Sequence, residues 1–321
     1  MFTVDGLQAL RRDDAGATPT DRAASAAILG EVLDGRAGDL TAGAFAATLA
    51  GRAATADQLV GYLDALHERC APLDAPQPAV VLPSYGRAKL LPNLTPLLAL
   101  LLAQAGLRVV VHGHGRGGDD AVATEAVFRD LGLPVGAGSA DLEAAWARHE
   151  PVYVPLEALC PLLARWIDRL DAAGLGAVGR RLAVLIDPLR RRDSLRVLAL
   201  AAGAPSDEAV GLATRLEAPL VLLGGTDGEP VADPRLPTPI DVWLRGRHSP
   251  ALSSPARESA LADRPLLPLR PDAATTALYV QAVASGEKPA PASLARQVEL
   301  VVAAALGAAA PAAGAAARLA G

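Results

Sequence analysis

The sequence predicts an α/β protein with an N-terminal helical domain. From residue 21 to residue 69, apolar side chains recur every three or four positions, a spacing typical of amphipathic helices. After a proline-rich stretch, short runs of valine and leucine alternate with helical segments, which is typical of a mostly parallel sheet joined by helices. Because 321 residues exceed what one hydrophobic core usually holds, two domains are expected, over 1–72 and 79–321.

Three helices are expected in the N-terminal domain. Asp39 and Thr41 precede the second helix and Thr55 precedes the third, and side chains of these types accept hydrogen bonds from the free amide groups at a helix start. Residues 71–78 contain three prolines and form the expected linker. The pattern from about 156 to 185 is helical again, and we expect these helices to join the N-terminal domain rather than the sheet.

The α/β domain is predicted from short apolar runs that alternate with helical segments. A strand, a helix and a second strand at this spacing indicate a parallel unit. The predicted strands are 79–82, 108–111, 195–199 and 220–223, and the predicted helices are 94–105 and 207–216. Another strand is expected to end at Ile186-Asp187-Pro188.

The composition excludes several classes of protein. Apolar residues make up 51% of the chain and charged residues 20%, so the chain has ample material for a core and is not of a disordered type. The net charge of −5 offers no overall basic excess, so nucleic-acid binding would need a local positive patch. Cys70 and Cys160 lie far apart in the sequence without a C-x-x-C spacing, which favours free thiols in a reducing cytoplasm.

Both ends of the chain bear on its location. The N-terminus has no basic segment followed by an apolar stretch, so no secretory signal is recognised and a cytoplasmic location is expected. No residue from 300 to 317 is charged, which is about the length that can span a membrane. Alanine is only weakly apolar and Pro311 and Gly314 interrupt the run, so a C-terminal helix ending near Gly307 is expected instead.

Three loops follow predicted strands, where open α/β sheets usually bind ligands. The first, over 83–93, carries Arg87 and Lys89 and leads into a helix whose first amide groups could hold an anion, although an ordinary strand-to-helix turn explains it equally well. The third, over 224–234, contains three acids that could bind magnesium or simply be solvated. These acids are Asp227, Glu229 and Asp233.

The second loop, over 112–120, reads HGHGRGGDD. Its glycines allow the backbone to approach a phosphate closely, and Arg116 adds positive charge. It lacks the G-K-[ST] of a nucleotide-binding P-loop. His112 and His114 could hold a metal together with one of the following aspartates, but the flexible glycines between them disfavour this reading.

Arginine supplies nearly all of the positive charge, because the chain has only two lysines. Guanidinium groups suit forked contacts with phosphate. No zinc finger, helix-turn-helix or RNA-binding aromatic pattern accompanies them, so contacts to phosphates rather than to bases are expected. The candidate contacts are Arg87, Lys89, Arg116, the pair Arg180 and Arg181, and the run Arg190, Arg191 and Arg192.

A helical segment, a strand, an N-L-T loop, a helix, a strand and an H-G loop follow one another along the chain. This order resembles anthranilate phosphoribosyltransferase over nearly the whole length. The resemblance implies a helical domain and a large α/β domain, dimerisation through the helical domains, and phosphoribosyl pyrophosphate (PRPP) held between the two domains. The implied pocket positions are Ser84, Gly86, Asn93, Thr95, His112 and Gly113.

Several enzyme motifs of that family are altered here. The G-T-G-G-D loop is replaced by P-S-Y-G-R at 83–87, and in the K-H-G-N-R motif Val111 replaces the lysine and His114 replaces the asparagine. The Asp-Glu pair that holds magnesium would fall at about Pro230 and Val231. Since that transfer needs magnesium to neutralise its leaving group, catalysis is not expected and no catalytic residue is assigned.

Five local matches, in order, resemble the YbiB-like branch of this fold: P-S-Y, N-L-T-P-L-L-A, V-V-V-H-G, V-x-x-P followed by C-P, and G-T-x-G-E. That resemblance implies sequence-independent DNA binding through a positive groove on the dimer, without transferase activity. We therefore predict a cytoplasmic homodimer that binds DNA or another nucleic acid through phosphates and needs no cofactor. The alternatives are an active magnesium-dependent phosphoribosyltransferase for anthranilate or another aromatic or nucleobase acceptor, with Asp227 or Glu229 holding the metal, and a small-molecule sensor.

Overall fold

A computed structural model describes residues 20–86, 91–115, 122–136, 138–201, 207–224, 228–236, 238–255, 265–268 and 272–309. Its helices are α1 Arg22–Leu33, α2 Asp39–Gly51, α3 Ala56–Arg69, α4 Thr95–Gln104, α5 Thr124–Asp130, α6 Ser139–Ala147, α7 Leu156–Leu159, α8 Pro161–Ala172, α9 Gly176–Ala183, α10 Asp207–Leu216, α11 Ala273–Ala284 and α12 Ala292–Ala309, with a short 3-10 helix at Pro250–Leu252. Its strands are β1 Val80–Ser84, β2 Val109–Gly113, β3 Val152–Pro155, β4 Leu195–Ala201, β5 Leu220–Gly224, β6 Ile240–Leu244 and β7 Arg247–His248.

The N-terminal helices begin at residues that satisfy free backbone amides. The side chain of Asp21 accepts a hydrogen bond from the Ala24 amide at 2.8 Å, which caps α1. Thr55 and Gln58 form a reciprocal capping box at the start of α3, as the position of Thr55 indicates in the sequence.

Helix α2 begins one residue earlier than the sequence suggests. Gly38 is its N-cap, and Asp39 and Thr41 lie inside its first turn rather than ahead of it. Gly38 has φ +69°, a backbone conformation that glycine adopts at little cost, so the chain enters this helix without a side-chain cap.

Helices α8 and α9 pack against the N-terminal helices. Phe45 of α2 is fully buried, and its ring lies 6.0 Å from the ring of Tyr62 in α3 and 6.2 Å from that of Trp166 in α8. Cys70, just after α3, and Cys160, just before α8, are buried free thiols. The neighbouring Cys160 thiol and burial raise the pKa of the Cys70 thiol.

The sheet has the order β3-β2-β1-β4-β5-β6-β7. The first five strands in this order are parallel, and β6 and β7 are antiparallel to their neighbours. The expected strand end at Ile186-Asp187-Pro188 is wrong, because this segment is a buried turn between α9 and β4. The Asp187 side chain accepts a hydrogen bond from the Leu189 amide at 3.1 Å, which stabilises the turn.

Both faces of the parallel strands are buried. Val81 and Leu198 face the core shared with the N-terminal helices and α8 and α9. Val80, Leu82 and Val197 face a second core with α4, α11 and α12. Burial on both faces accounts for the nearly continuous apolar runs by which the strands are recognised in the sequence.

The last helix, α12, has the length and apolar composition of a membrane span, the one such helix in the part of the chain described. It packs against α4 and β6, and Leu294, Leu300, Val301 and Ala304 are buried. One face of this helix therefore packs into the fold, and the helix ends at Ala309, two residues beyond Gly307.

Removal of the Phe45 ring tests the packing of the helical region. Phe45→Ala is expected to lower the free energy of unfolding by about 3 to 5 kcal/mol, because it leaves a cavity between α2, α3 and α8. Leu40→Ala, in the same helix but at a position 90% exposed, should change it by less than about 0.5 kcal/mol. Urea unfolding followed by circular dichroism measures both, and equal losses would contradict the packing described.

Candidate functional site

Two regions with candidate functional side chains lie at opposite ends of the parallel strands. We call them the carboxyl edge, where the parallel strands end, and the amino edge, where they begin. The carboxyl ends of β1 and β2 meet at one edge, where Ser84 is in register with Gly113. A Cβ atom at Gly113 would collide with the Ser84 carbonyl oxygen and the Tyr153 hydroxyl, so this close approach requires glycine. The amino ends of β4 and β5 lie at the other edge, beside the end of β6.

Five polar residues form a buried hydroxyl–carboxylate cluster at the carboxyl edge. The Glu229 Oε2 atom accepts a hydrogen bond from Ser84 Oγ at 2.5 Å and another from Thr95 Oγ1 at 2.8 Å. Thr124 Oγ1 lies 2.5 Å from Ser84 Oγ and accepts a hydrogen bond from Asn93 Nδ2 at 2.8 Å. None of the five residues is more than 6% exposed, so the cluster is part of the interior.

The ends of regular elements position this cluster. Ser84 ends β1, Thr95 begins α4 and Thr124 begins α5. The Asn93 side chain also accepts a hydrogen bond from the Thr95 amide at 3.1 Å, which orders the turn into α4. Three of the sequence-predicted pocket residues, Ser84, Asn93 and Thr95, are thus brought together, and Glu229 joins them from the loop after β5.

A buried glutamine holds the segment that carries Glu229. The fully buried Gln297 of α12 donates from Nε2 to the Pro230 carbonyl and accepts from the Ala232 amide, both at 2.8 Å. Gly228 has φ +83°, a backbone conformation that favours glycine, and a Cβ atom added there would lie in ordinary contact with the Gly86 Cα, at 3.4 Å. The magnesium-binding pair expected near Pro230 and Val231 has no counterpart at those positions, and Glu229 is the acid of this described segment that reaches Ser84 and Thr95.

His112, another predicted pocket residue, lies beneath this edge. It is fully buried, and its Nδ1 atom is 2.7 Å from the Tyr85 hydroxyl. Burial and, to a lesser extent, the Arg196 guanidinium lower the pKa of His112 to about 3. The imidazole is therefore neutral near pH 7.

His114 lies apart from His112. Its Nε2 atom is 3.5 Å from Glu157 Oε1 and 3.4 Å from Asp168 Oδ1. Within the described ranges, no group of three histidine, cysteine or acidic side chains is arranged to hold a metal ion.

At the amino edge, five arginines line a cavity of about 870 Å³, which we call the arginine groove. Asp193 and Glu217 also line it, so its charged side chains carry a net charge of +3. The arginines come from the turn before β4 and from the hairpin of β6 and β7. They are Arg190, Arg191, Arg192, Arg245 and Arg247.

The groove arginines differ in their contacts with the protein. Arg190 donates to the carbonyl oxygens of His67 and Cys70, and Arg191 makes a forked pair with Asp193 at 2.9 and 2.8 Å. Arg192 and Arg247 are exposed, and neither has an ion pair with another described residue. The first two guanidinium groups therefore stabilise the turn, while those of Arg192 and Arg247 are exposed to solvent.

Arg180 and Arg181, two further predicted phosphate contacts, do not line the groove. Arg180 of α9 pairs with Asp171 at 2.9 Å and is mostly buried, and Arg181 lies 3.9 Å from Glu208. Arg87, Lys89, Arg116 and Asp227 lie outside the described residues. Sequence reasoning missed Arg245 and Arg247, for which the Arg-Gly pair at 245–246, directly after the run at 240–244, is the only local signal.

Comparison with known proteins places the chain among phosphoribosyltransferase folds. No family model matches the sequence. The uncharacterized protein YbiB of Escherichia coli strain K12 is 28% identical over 278 residues, which cover 85% of each chain. Anthranilate phosphoribosyltransferase of Methylorubrum extorquens strain PA1 is 29% identical over 123 residues, 38% of this chain and 36% of that protein.

Solved structures match over nearly the whole chain. Anthranilate phosphoribosyltransferase from Thermus thermophilus superposes with a TM-score of 0.68 at 19% identity, covering 94% of this chain and 89% of that one. The protein has the anthranilate phosphoribosyltransferase fold. The Saccharomyces cerevisiae enzyme in complex with PRPP and Mg shares this fold with a TM-score of 0.54 at 12% identity, with 96% of each chain covered.

The buried histidines predict how stability depends on pH. Burial lowers the pKa of His67 to about 4 and that of His112 to about 3, whereas in the unfolded chain histidine titrates near 6.5. Below pH 6.5 the unfolded state therefore binds protons that the folded state does not, and stability falls as the pH falls. From pH 6 to 5, the free energy of unfolding should drop by about 1.2 kcal/mol per histidine.

Urea unfolding between pH 7 and 5 measures this slope. His112→Gln should remove about half of it, because one of the two buried imidazoles no longer titrates. An unchanged slope in this variant would contradict a neutral, buried His112.

Proposed function

We propose that the protein binds nucleic acid without sequence preference, through contacts from the arginine groove to backbone phosphates. The observation that carries this proposal is the clustering of five arginines around one cavity in a chain whose net charge is −5. In this view the protein is a cytoplasmic homodimer that joins through its N-terminal helical region and has no transferase activity or cofactor requirement.

The chemistry of the groove suits a polyanion. Guanidinium groups make forked, charge-assisted hydrogen bonds with phosphate oxygens, and they are less strongly hydrated than ammonium groups. Arg192, from the turn before β4, and Arg247, from β7, approach the cavity from two separate segments. Such an arrangement can follow a phosphate backbone without reading bases.

The similarity to YbiB over most of both chains supports a common structure, but that relative is itself uncharacterized. The proposal therefore rests on the groove. The rest of the chain carries a net negative charge, so a polyanion would be attracted at the groove and not to the remaining surface.

The second candidate is a magnesium-dependent phosphoribosyltransferase. It is favoured by the hydroxyl–carboxylate cluster, because Glu229, Ser84 and Thr95 supply oxygen atoms of the kind that magnesium binds. The yeast enzyme of the same fold is seen in complex with PRPP and Mg. Against this candidate, Tyr85 stands in the loop after β1 where the family has glycine, and the Asp-Glu pair is absent at 230–231.

Removal of the two exposed groove charges should weaken nucleic-acid binding in a salt-dependent way. Arg192→Gln combined with Arg247→Gln is expected to reduce the slope of log affinity against log salt concentration by about 1.4 for single-stranded DNA, since each phosphate contact contributes about 0.7. Fluorescence anisotropy of a labelled oligonucleotide at several salt concentrations measures this slope.

The matched control is Arg129→Gln combined with Arg148→Gln, which removes two exposed arginines on α5 and after α6. It changes the net charge equally but should leave the slope within error of the wild type. Equal effects of the two double variants would refute the groove as the binding surface.

Competition separates the two candidate functions. If the groove binds nucleic acid and the transferase reaction is absent, an excess of PRPP should leave DNA binding unchanged when the magnesium concentration and ionic strength are held constant. Magnesium-dependent binding of PRPP together with no DNA binding would establish the transferase instead.

A further inference from the structure

The hydroxyl protons of the hydroxyl–carboxylate cluster are directed towards Glu229. Ser84 has a single hydroxyl proton, which it donates to Glu229 Oε2 at 2.5 Å. Thr124 must therefore donate its own proton to Ser84, while its oxygen accepts from the Asn93 amide. Thr95 donates to the same Glu229 oxygen at 2.8 Å, so the donors of this pocket converge on one carboxylate.

The carboxylate is fixed in this place by the fold. Gln297 clamps the backbone immediately after Glu229 on both sides of Val231, and Val231 is itself buried in the core beneath the sheet. The Glu229 side chain therefore enters the cluster from a segment whose following residues are held by Gln297.

From this geometry we infer that the Glu229 carboxyl group occupies the position of a ligand phosphate, as an internal substitute for it. Glu229 thereby closes the pocket to phosphate and diphosphate groups. An entering phosphate needs the Ser84 and Thr95 hydroxyls as donors, and both already serve the carboxylate. The pocket is thus filled by a carboxyl group of the chain itself.

This inference assigns Glu229 a role opposite to that of a magnesium ligand. A metal ligand would make diphosphate binding depend on the carboxylate, because the cation would bridge the two anions. An internal substitute makes diphosphate binding depend on removal of the carboxylate. The two roles therefore predict opposite effects of the same substitution.

The experiment is a calorimetric titration of the full-length protein with sodium diphosphate, with and without magnesium chloride. Glu229→Ala should bind diphosphate at least tenfold more tightly than the wild type, because Ser84 and Thr95 regain free donors. Glu229→Gln, which keeps the side-chain volume and removes the charge, should show a smaller gain and guards against a folding defect. Glu157→Gln, a change of a half-exposed acid after β3, is the matched control and should show no gain.

The site of any gained binding is checked by adding Thr95→Val to Glu229→Ala, which should abolish the gain. No gain in either Glu229 variant would overturn the inference. Tighter magnesium-dependent binding by the wild type than by Glu229→Ala would also overturn it. DNA binding through the groove is measured separately and does not depend on either result.

Discussion

The double burial of the parallel strands determines where charge can lie in this protein. Strands β3, β2, β1, β4 and β5 run in one direction between two apolar cores, so most of their polar side chains lie near the two edges where strands begin and end, and Arg196 of β4 is a buried exception. The antiparallel β6 runs back beside β5 and brings its turn to the edge where β4 and β5 begin. Both candidate sites follow from this arrangement.

The two edges differ in whether their charged and polar groups are buried or exposed. At the carboxyl edge, where this fold class usually binds ligands, the donors are buried and satisfied by a carboxylate of the same chain. At the amino edge, exposed guanidinium groups surround an open cavity. An acidic protein can attract a polyanion under these conditions, because the attraction depends on the local field rather than on the net charge.

Local patterns in the sequence were sufficient for much of the fold. The helix expected over 207–216 is α10, with the same bounds, and the strands lie within a few residues of the apolar runs that predict them. The error at Ile186-Asp187-Pro188 arose because a buried turn and the end of a strand both place apolar residues before charged ones. The local sequence pattern does not distinguish a buried turn from the end of a strand. The packing of α9 against the neighbouring helices determines that this segment is a turn.

The sites depended on contacts between distant parts of the chain. Ser84, Asn93 and Thr95 were found through family resemblance, whereas Thr124 and Gln297 are single polar residues in helices and carry no local signal. The arginine groove joins a conspicuous run at 190–192 to Arg245 and Arg247, which only the pairing of β5 with β6 brings near. Counting charges along the sequence therefore underestimates the local charge where separate segments meet at one end of the sheet.

The proposed surface for nucleic acid is tested most directly by hydrogen–deuterium exchange of the protein with and without single-stranded DNA. The account predicts slower exchange on binding in peptides that cover 188–196 and 244–248, and no change in peptides that cover 91–98 or 228–233. Protection confined to the latter two segments would contradict it, because the ligand would then occupy the carboxyl edge of the sheet.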